Sequence, residues 1–577
     1  NSDIFSGVAV EKNDDGTITN VVAKTTEQFK SGEVAYQLNG DRDVWGQTIN
    51  TNDYPIFGGS KVYATTGCVS YSNDPNHTGA VAHDFTHGTD GKCSNCGNYE
   101  EPVQDENGVY QIDNFSKLYW FAQQVNSESR DINAVLTADI TVNTGVLKPN
   151  GTLADETNGF IAWTPIGNST FPYIGNFDGQ QHTISGLYYN DNTADNVGLF
   201  GYIGGVTEDG TYKPCGSIKN VSIADSYFCG KDYVGGICGK SETNPINNCS
   251  NSGTVIGHCY VGGVCGVNKY GLVIDCSNSG MVNGDSQVGG VCGGNYYDFG
   301  TIQTHNLESG VIRNCSNTGE ISGNGDVGGV CGNNAAKLEG CSNSGAISGS
   351  NANIGGVCGQ SSHSGIIAGE IYNCHNTGNV TGYRVIGGVC GRLENDNIKN
   401  CYNKGNVTGT GFNVGGICGI GNYSANIYSS YNTGDVSGID NVGGIGGYSI
   451  LGYNCYNTGT ISGSNNVGGF VGKSGYFYNC FSTGTVRGES NVGGINGGSC
   501  VEIINCYYDS DKFKGAASGG HCQYYINVCG KTTAQFKSGE VVYLLDALSD
   551  TDSSNDTGID WGQTIGQDDF PVLGGQR

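Results

Sequence analysis

Five cysteine and histidine side chains near the N-terminus have the donor atoms and spacing of a metal site. The predicted zinc ligands are Cys68, His83, Cys93 and Cys96, with His87 as the alternative to His83. A Cys-x-x-Cys pair with a histidine nearby is typical of zinc sites. A set of four protein ligands would make the zinc structural, because catalytic zinc keeps an open coordination position. The alternative is a disulfide from Cys68 to Cys93 or Cys96.

Aspartates in predicted turns are the second group of residues that could do chemistry. Enzymes that cleave polysaccharides use pairs of carboxylates, but turn aspartates more often accept backbone hydrogen bonds. We therefore expect no catalytic residue and no enzyme, and polysaccharide cleavage is the least favoured alternative. The aspartates considered are Asp191, Asp195, Asp209, Asp326 and Asp440.

A repeated phrase indicates the framework that positions these residues. Val-Gly-Gly-Ile/Val-Cys-Gly alternates with Asn-Cys-Ser/Tyr-Asn-Thr/Ser-Gly, and the first half recurs about every 25–28 residues. A fixed period of this length predicts a solenoid, in which each coil is buried against its neighbours. The first half occurs at Gly235, Gly262, Gly289, Gly328, Gly355, Gly387, Gly415, Gly443, Gly468 and Gly493.

One repeat predicts a coil of about three short strands. Residues 311–315, 320–322 and 327–332 have the alternation of strands, whereas 316–319 and 323–326 contain the glycine and asparagine typical of turns. Glycine pairs would allow neighbouring backbones to approach closely inside a narrow core.

Cysteines recur at fixed places in these coils, at a separation of 16 or 17 positions within one coil. This regularity predicts a disulfide across each coil, and 25 cysteines favour an oxidising compartment. The alternative is a ladder of reduced, buried cysteines that act as small apolar residues. The predicted pairs are Cys249–Cys265, Cys276–Cys292, Cys315–Cys331, Cys341–Cys358, Cys374–Cys390 and Cys401–Cys418.

The composition excludes several classes of protein. The chain has 577 residues and 99 glycines but only 9 prolines, without the Gly-X-Y register of collagen. The formal net charge of −27 argues against nucleic acid or an anionic membrane as partner. No apolar run is long enough to predict membrane insertion. We expect a secreted protein on the extracellular face of a cell.

The two ends of the chain share one sequence module. Residues 24–34 read Lys-Thr-Thr-Glu-Gln-Phe-Lys-Ser-Gly-Glu-Val, and residues 531–541 differ from them only at Ala534. Trp-Gly-Gln-Thr-Ile follows in both copies. Thr26 or Thr533 is predicted to N-cap a short helix. The repetition predicts either caps for the two ends of a stack or protomers that associate head to tail through these modules.

These patterns divide the chain into five predicted segments. They are an N-terminal cap or assembly module (1–63), a Cys/His-rich knuckle (64–103), a helical cap (104–143), a solenoid (144–510) and a C-terminal module (511–577). The helical cap is predicted at 114–126, where apolar residues recur with helical spacing.

The repeats resemble the GLUG repeat of bacterial surface proteins, including the non-catalytic region of IgA-specific metallopeptidases. Residues 197–203 read Val-Gly-Leu-Phe-Gly-Tyr-Ile, and residues 163–167 and 182–187 are similar to the lead-in of that family. The resemblance covers about residues 105–510 and implies an all-β, right-handed parallel β-helix without catalytic residues. The Cys/His segment is similar to knuckles of clostridial surface proteins. Cysteine usually replaces an apolar residue of the GLUG phrase, and no His-Glu-x-x-His motif is present, so protease activity is not implied.

Together these observations predict a structural or adhesive role, as a rigid segment of an extracellular fibre, filament or adhesin stalk. The alternative is a module that binds glycans or host proteins through one solenoid face, since the 34 tyrosines could stack on sugars. No cofactor is required, apart from the structural zinc considered above.

Overall fold

The computed structural model describes most of the chain, and it separates into two compact units, Asn1–Glu101 and Pro102–Arg577. The described residues are 24, 26–39, 44–64, 71–75, 85, 90–94, 97–204, 216–297, 310–362, 369–422, 425–546 and 560–575.

The first unit contains a small α/β module. Its helices are α1 (Thr26–Lys30) and α2 (Glu33–Asn39). An antiparallel pair aligns Trp45 with Phe57, and their rings stack at 4.0 Å between centroids. The strands of this unit are Trp45–Gly46, Ile56–Phe57, Tyr63–Ala64 and Tyr71–Ser72.

The second unit is a parallel β-helix, as the repeat predicts. Its strands form one sheet of 17 strands and one of 35, here called sheet A and sheet B, and the pairs within them are parallel. Equivalent residues of successive coils lie opposite one another, as in Val288 with Val327 and Cys292 with Cys331. The strands of sheet A are Tyr188–Asn190, Tyr227–Cys229, Asp232–Gly235, Thr254–Ile256, Cys259–Gly262, Val282–Gly289, Ile321–Gly328, Ile347–Gly355, Val380–Gly387, Val407–Gly409, Phe412–Gly415, Val436–Ser437, Asp440–Gly443, Ile461–Ser462, Asn465–Gly468, Val486–Arg487 and Ser490–Gly493.

Sheet B supplies the remaining sides of each coil. Its strands are Tyr110–Ile112, Ala134–Leu136, Ile140–Thr141, Asn176–Asp178, Thr183–Ser185, Phe200–Gly204, Ser217–Lys219, Ser222–Ala224, Cys238–Glu242, Ile246–Asn247, Ser250–Asn251, Cys265–Lys269, Leu272–Ile274, Ser277–Asn278, Cys292–Tyr296, Val311–Arg313, Ser316–Asn317, Cys331–Asn334, Lys337–Glu339, Ser342–Asn343, Cys358–Ser362, Glu370–Tyr372, His375–Asn376, Cys390–Glu394, Asn397–Lys399, Tyr402–Asn403, Cys418–Gly421, Asn426–Tyr428, Tyr431–Asn432, Gly446–Tyr453, Tyr456–Asn457, Val471–Tyr478, Phe481–Ser482, Cys500–Asp509 and Cys522–Lys531.

A single coil has four strand segments where the sequence predicts three. In the coil that begins at Val311, they are Val311–Arg313, Ser316–Asn317, Ile321–Gly328 and Cys331–Asn334. The predicted turn at 323–326 is a continuous strand, because Gly323 and Gly325 pair with glycine and serine of the preceding coil. The predicted turn at 316–319 also begins as a strand.

Helix α3 (Phe115–Val125) confirms the amphipathic helix predicted at 114–126. The Asn114 side chain caps it by accepting from the Lys117 amide at 3.0 Å. Its buried face includes Phe121, whose ring lies 6.0 Å from that of Phe177 in the sheet below. The helix therefore covers the apolar interior of the first coils.

The last part of the second unit is another α/β module, which consists of α4 (Thr533–Lys537), α5 (Glu540–Asp546) and the paired strands Trp561–Gly562 and Val572–Leu573. The N-cap of α4 is Thr532, one residue before the predicted Thr533. Thr533 instead donates its hydroxyl to Asp509 at 2.7 Å, which fixes the helix to the last coils.

Candidate functional surface

A column of buried asparagines runs along the interior of the β-helix. Each side-chain amide donates to a glycine carbonyl two residues later and to the equivalent residue of the next coil, which is asparagine for all but Asn457, whose partner is Ser482. Asn317, Asn343 and Asn376 are joined in this way by hydrogen bonds of 2.8 Å. Donor and acceptor of each amide are used within the stack, so a coil out of register would leave buried polar groups without partners. The residues of this column are Asn251, Asn278, Asn317, Asn343, Asn376, Asn403, Asn432 and Asn457.

The cysteines form two further columns, and the six predicted disulfides are absent. All twelve residues are buried free thiols: Cys249, Cys265, Cys276, Cys292, Cys315, Cys331, Cys341, Cys358, Cys374, Cys390, Cys401 and Cys418. The register places each of them beside an equivalent residue of the adjacent coil, such as Cys265 beside Cys292. Each thiol also donates to a nearby carbonyl, as Cys292 does to Gly294 at 3.0 Å. The structure therefore agrees with the alternative prediction, in which reduced, buried cysteines act as small apolar residues.

The disulfide that the structure does form joins two successive coils near the end of the stack. Cys500 and Cys522 are register partners, and their Cα atoms are 4.5 Å apart. Among the described cysteines, this pair is the one that is bonded. This disulfide therefore connects neighbouring coils.

Aromatic side chains stack on the outer surface at the same spacing as the strands. Rings of Tyr402, Tyr431, Tyr456 and Phe481 follow one another at 4.8–5.1 Å and are nearly parallel. A second column contains Tyr428, Tyr453 and Tyr478. The face of each inner ring is covered by its neighbours, so these columns present ring edges and hydroxyl groups to a ligand. A sugar that stacks on an aromatic ring needs an open ring face. This geometry weakens the glycan-binding alternative.

The C-terminal module covers one end of the first aromatic column. Trp561 and Phe536 are each 1% exposed, and their rings lie 5.4 and 5.6 Å from that of Phe481. Val541 and Leu545 are fully buried in the same cluster, beside Tyr456 of the column and Tyr507, the register partner of Phe481 in the next coil. The aromatic column is therefore an apolar docking site for the C-terminal module. The sequence patterns did not predict this contact. The recurrence of Tyr or Phe after the Asn-Cys pair is the signal that could have found it.

Of the predicted zinc ligands, the structure describes Cys93, which is buried in the first unit. Cys68, His83, His87 and Cys96 lie outside the described residues. The zinc site therefore stays a prediction.

A different cluster with metal-ligand atoms lies on sheet A, where Asp232, His258 and Cys259 have ligand atoms within 4.8 Å of one another. Lys231 Nζ lies 3.1 Å from the Asp232 carboxylate, and His258 Nδ1 lies 3.2 Å from it. Although partial burial opposes it, the hydrogen bonds from Lys231 and His258 lower the pKa of Asp232. The carboxylate is thus already paired with the Lys231 ammonium and hydrogen-bonded to His258.

The described carboxylates predicted in turns form hydrogen bonds within the fold. Asp191 accepts from the amide and hydroxyl of Thr193, which lowers its pKa. Burial raises the pKa of Asp326, and Asn353 donates to it at 2.8 Å. Asp440 accepts from the Asn441 amide, and Asp209 lies outside the described residues. These contacts are those of turn and coil stabilisation.

A groove of about 540 Å³ lies between an excursion of the chain and the turns of the β-helix. The Asp225 carboxylate holds this excursion by accepting from the amides of Gly145 and Leu147, both at 2.8 Å. Asn150, Ser279 and Glu320 are among the residues that line the groove. Its lining is mixed in polarity, with hydroxyl, amide and carboxylate groups beside Leu147 and Met281.

Comparison with known proteins identifies the repeat. The family model of the GLUG motif matches residues 284–322 and 382–408, so the chain carries GLUG motifs, as the sequence resemblance predicts. The chain is 30% identical to Halomucin of Haloquadratum walsbyi over 152 residues, which are 26% of this chain. It spans about 2% of the length of that relative.

One solved structure, of a candidate immunoglobulin A1 protease from Bacteroides ovatus, was also similar by structural comparison. The two chains are 17% identical, and the TM-score is 0.27. The match covers 82% of this chain and 95% of the other. Among the described residues, no helix is long and apolar enough to cross a membrane.

Proposed function

We propose that this chain is a non-catalytic structural segment of an extracellular surface protein, in which it serves as a rigid spacer in a fibre, filament or adhesin stalk. The observation that carries the proposal is the continuous stack of coils in register, whose interior contains columns of asparagine and cysteine. A repeat stack of this kind provides length and stiffness.

Charge and repeat type support an extracellular location. The net charge of −27 favours solubility and opposes adsorption to anionic surfaces. GLUG motifs and the similarity to Halomucin are compatible with a large surface protein. The free thiols of the columns are fully buried, and this burial would protect them from oxidation outside the cell.

The experiment combines antibody labelling of intact cells with electron microscopy of the purified chain. The proposal predicts label on unpermeabilised cells and straight particles of uniform width. Label confined to permeabilised cells would contradict the location, and compact particles without a long axis would contradict the role as spacer.

Binding of a glycan or host protein is the second candidate, and the groove beside Asn150 and Glu320 is the observation that favours it. Its hydroxyl, amide and carboxylate groups could bind sugar hydroxyls. A glycan array tests this function with the intact chain and the Glu320→Ala variant. A glycan bound by both proteins equally would not occupy this groove.

The predicted knuckle and end modules complete the proposal. The knuckle would hold one structural zinc ion per chain, and metal analysis of the intact protein and a Cys93→Ser variant tests this number. The end modules would join β-helix segments head to tail, including copies of this chain whose C-terminal module has been displaced. Dialysis against a chelator should remove the zinc and leave the β-helix signal in circular dichroism unchanged, because the knuckle lies in the other unit.

A further inference from the structure

The two end modules share their internal hydrogen bonds as well as their sequence. In the N-terminal module, Gln47 Nε2 donates to the carbonyl of Phe29 at 2.7 Å. In the C-terminal module, Gln563 Nε2 donates to the carbonyl of Phe536 at the same distance. A lysine–glutamate ion pair of 2.5 Å in the first and 2.7 Å in the second also has equivalent partners, Lys24–Glu33 and Lys531–Glu540. Both copies are therefore the same folded unit.

The modules differ in the burial of equivalent apolar residues. Leu545 is fully buried against the aromatic column, whereas its equivalent Leu38 is 51% exposed. Leu573 packs against the same cluster, whereas its equivalent Phe57 is 73% exposed. Tyr54, which corresponds to the packed Phe570, is 65% exposed. The face that docks in one copy is thus open in the other.

We propose that this open face, formed by Leu38, Tyr54 and Phe57, docks on a stacked column of Tyr and Phe side chains on the end coils of another GLUG-type β-helix. The C-terminal module shows what such a face binds, because its equivalent residues contact Tyr456 and Phe481 of this chain. The inference rests on the end-to-end association proposed above, and it names the surface that the N-terminal module binds.

The partner must offer a column that no module covers. In this chain the residues Tyr456, Phe481 and Tyr507 are already buried under the C-terminal module. A second copy can therefore act as partner only after its own module has left the column. The full chain is expected to remain monomeric, and opening the column should create a binding site for the N-terminal module of a neighbour.

The test uses full-length variants and measures mass by light scattering after size exclusion. The Phe536→Ser/Trp561→Ser variant releases the C-terminal module, and release is checked by protease cleavage after residue 531. This variant is expected to form dimers and longer oligomers, while the wild type stays monomeric. Adding Leu38→Ser and Phe57→Ser should lower the association constant at least tenfold.

Val44→Asp is the matched control in the N-terminal module. It introduces the residue that the C-terminal module has at this place, Asp560, so association should not change. Oligomers that persist with Leu38→Ser and Phe57→Ser would overturn the docking face but leave end-to-end association standing. If the Phe536→Ser/Trp561→Ser variant, here called the open variant, stays monomeric, both the docking face and the end-to-end association are contradicted.

A photo-crosslinking amino acid at position 57 provides a second measurement that does not depend on release of the module in every molecule. The protein that carries this amino acid is mixed with the open variant and irradiated. The crosslink is expected to join position 57 to a peptide of the open variant that contains position 456, 481 or 507. Crosslinks at any other part of the β-helix, or none above the level of the wild type alone, would overturn the proposal.

Discussion

Replacing Asn343 with alanine should loosen the β-helix locally, because this side chain links three coils. Asn343 donates to the carbonyl of Gly345 at 2.9 Å and to Asn376 at 2.8 Å, and it accepts from Asn317 at 2.8 Å. Alanine removes all three hydrogen bonds and leaves their partners buried. With about 1 kcal/mol for each lost bond, local stability falls by about 3 kcal/mol.

Hydrogen exchange followed by mass spectrometry measures this loss, since repeat stacks open locally and a single global unfolding energy is not defined. A loss of about 3 kcal/mol corresponds to exchange about 100-fold faster in the coils around residue 343. Asn343→Ser should have a smaller effect, because a serine hydroxyl already accepts from the column at Ser482.

Ser344→Ala is the control, since Ser344 is exposed and adjacent to the column residue. Its exchange should match that of the wild type, because surface substitutions change stability by less than about 0.5 kcal/mol. If Asn343→Ala exchanges within about threefold of this control, the asparagine column does not maintain the register, and the reasoning is refuted.

Three further predictions concern other parts of the stack. Gly329→Ala should destabilise its coil by about 2 kcal/mol or more, because a Cβ there would lie 2.1 Å from a carbonyl oxygen, whereas Gly325→Ala, with its nearest atom at 3.5 Å, should be tolerated. Equal rates of hydrogen exchange around the two substituted positions would contradict this. Maleimide should label the exposed Cys529 in the native protein and Cys418 only after unfolding, since burial raises the pKa of Cys418 well above its ordinary value; native labelling of Cys418 would disprove its burial. Burial raises the pKa of Tyr507 to about 12. The contribution of this shift to the stability of the fold is therefore complete below about pH 10, the ordinary tyrosine pKa, and is lost as the pH rises towards 12. Ionisation of Tyr507 near pH 10 in an absorbance titration would count against its burial.

The repeat itself predicted most of the fold, because a fixed period constrains every coil at once. Helix α3 was predicted to within one residue at each end, since its capping asparagine and apolar spacing are local signals. The turn expected at 316–319 was wrong at Asn317, which is buried. Asparagine is common in turns, and a single coil cannot show that its amide will bond to the next coil. Its recurrence in eight successive coils, from Asn251 to Asn457, was the available signal.

The cysteine pairing could not be predicted from spacing along the chain. A separation of 16 residues is compatible with a bond across a coil, but the β-helix places each cysteine directly beside its equivalent one coil away, as in Cys331 beside Cys358. Cysteines pair only when they lie close together, and in this fold the neighbouring cysteines belong to adjacent coils. The contact between Trp561 and the aromatic column was equally hidden, because these residues are distant in sequence and no local pattern connects them.

The most direct test of the stacked register is a set of distances between spin labels at one exposed corner of successive coils. Labels carried by an incorporated ketone amino acid avoid the native thiols, and suitable exposed positions are Ser252, Ser279 and Thr433. Ser279 and Thr433 are five coils apart and should be separated by about 24 Å, and Ser252 adds one coil and about 5 Å, from the strand spacing. Distances that increase by one strand spacing per coil would confirm the account, whereas a separation that does not increase with coil number would contradict it.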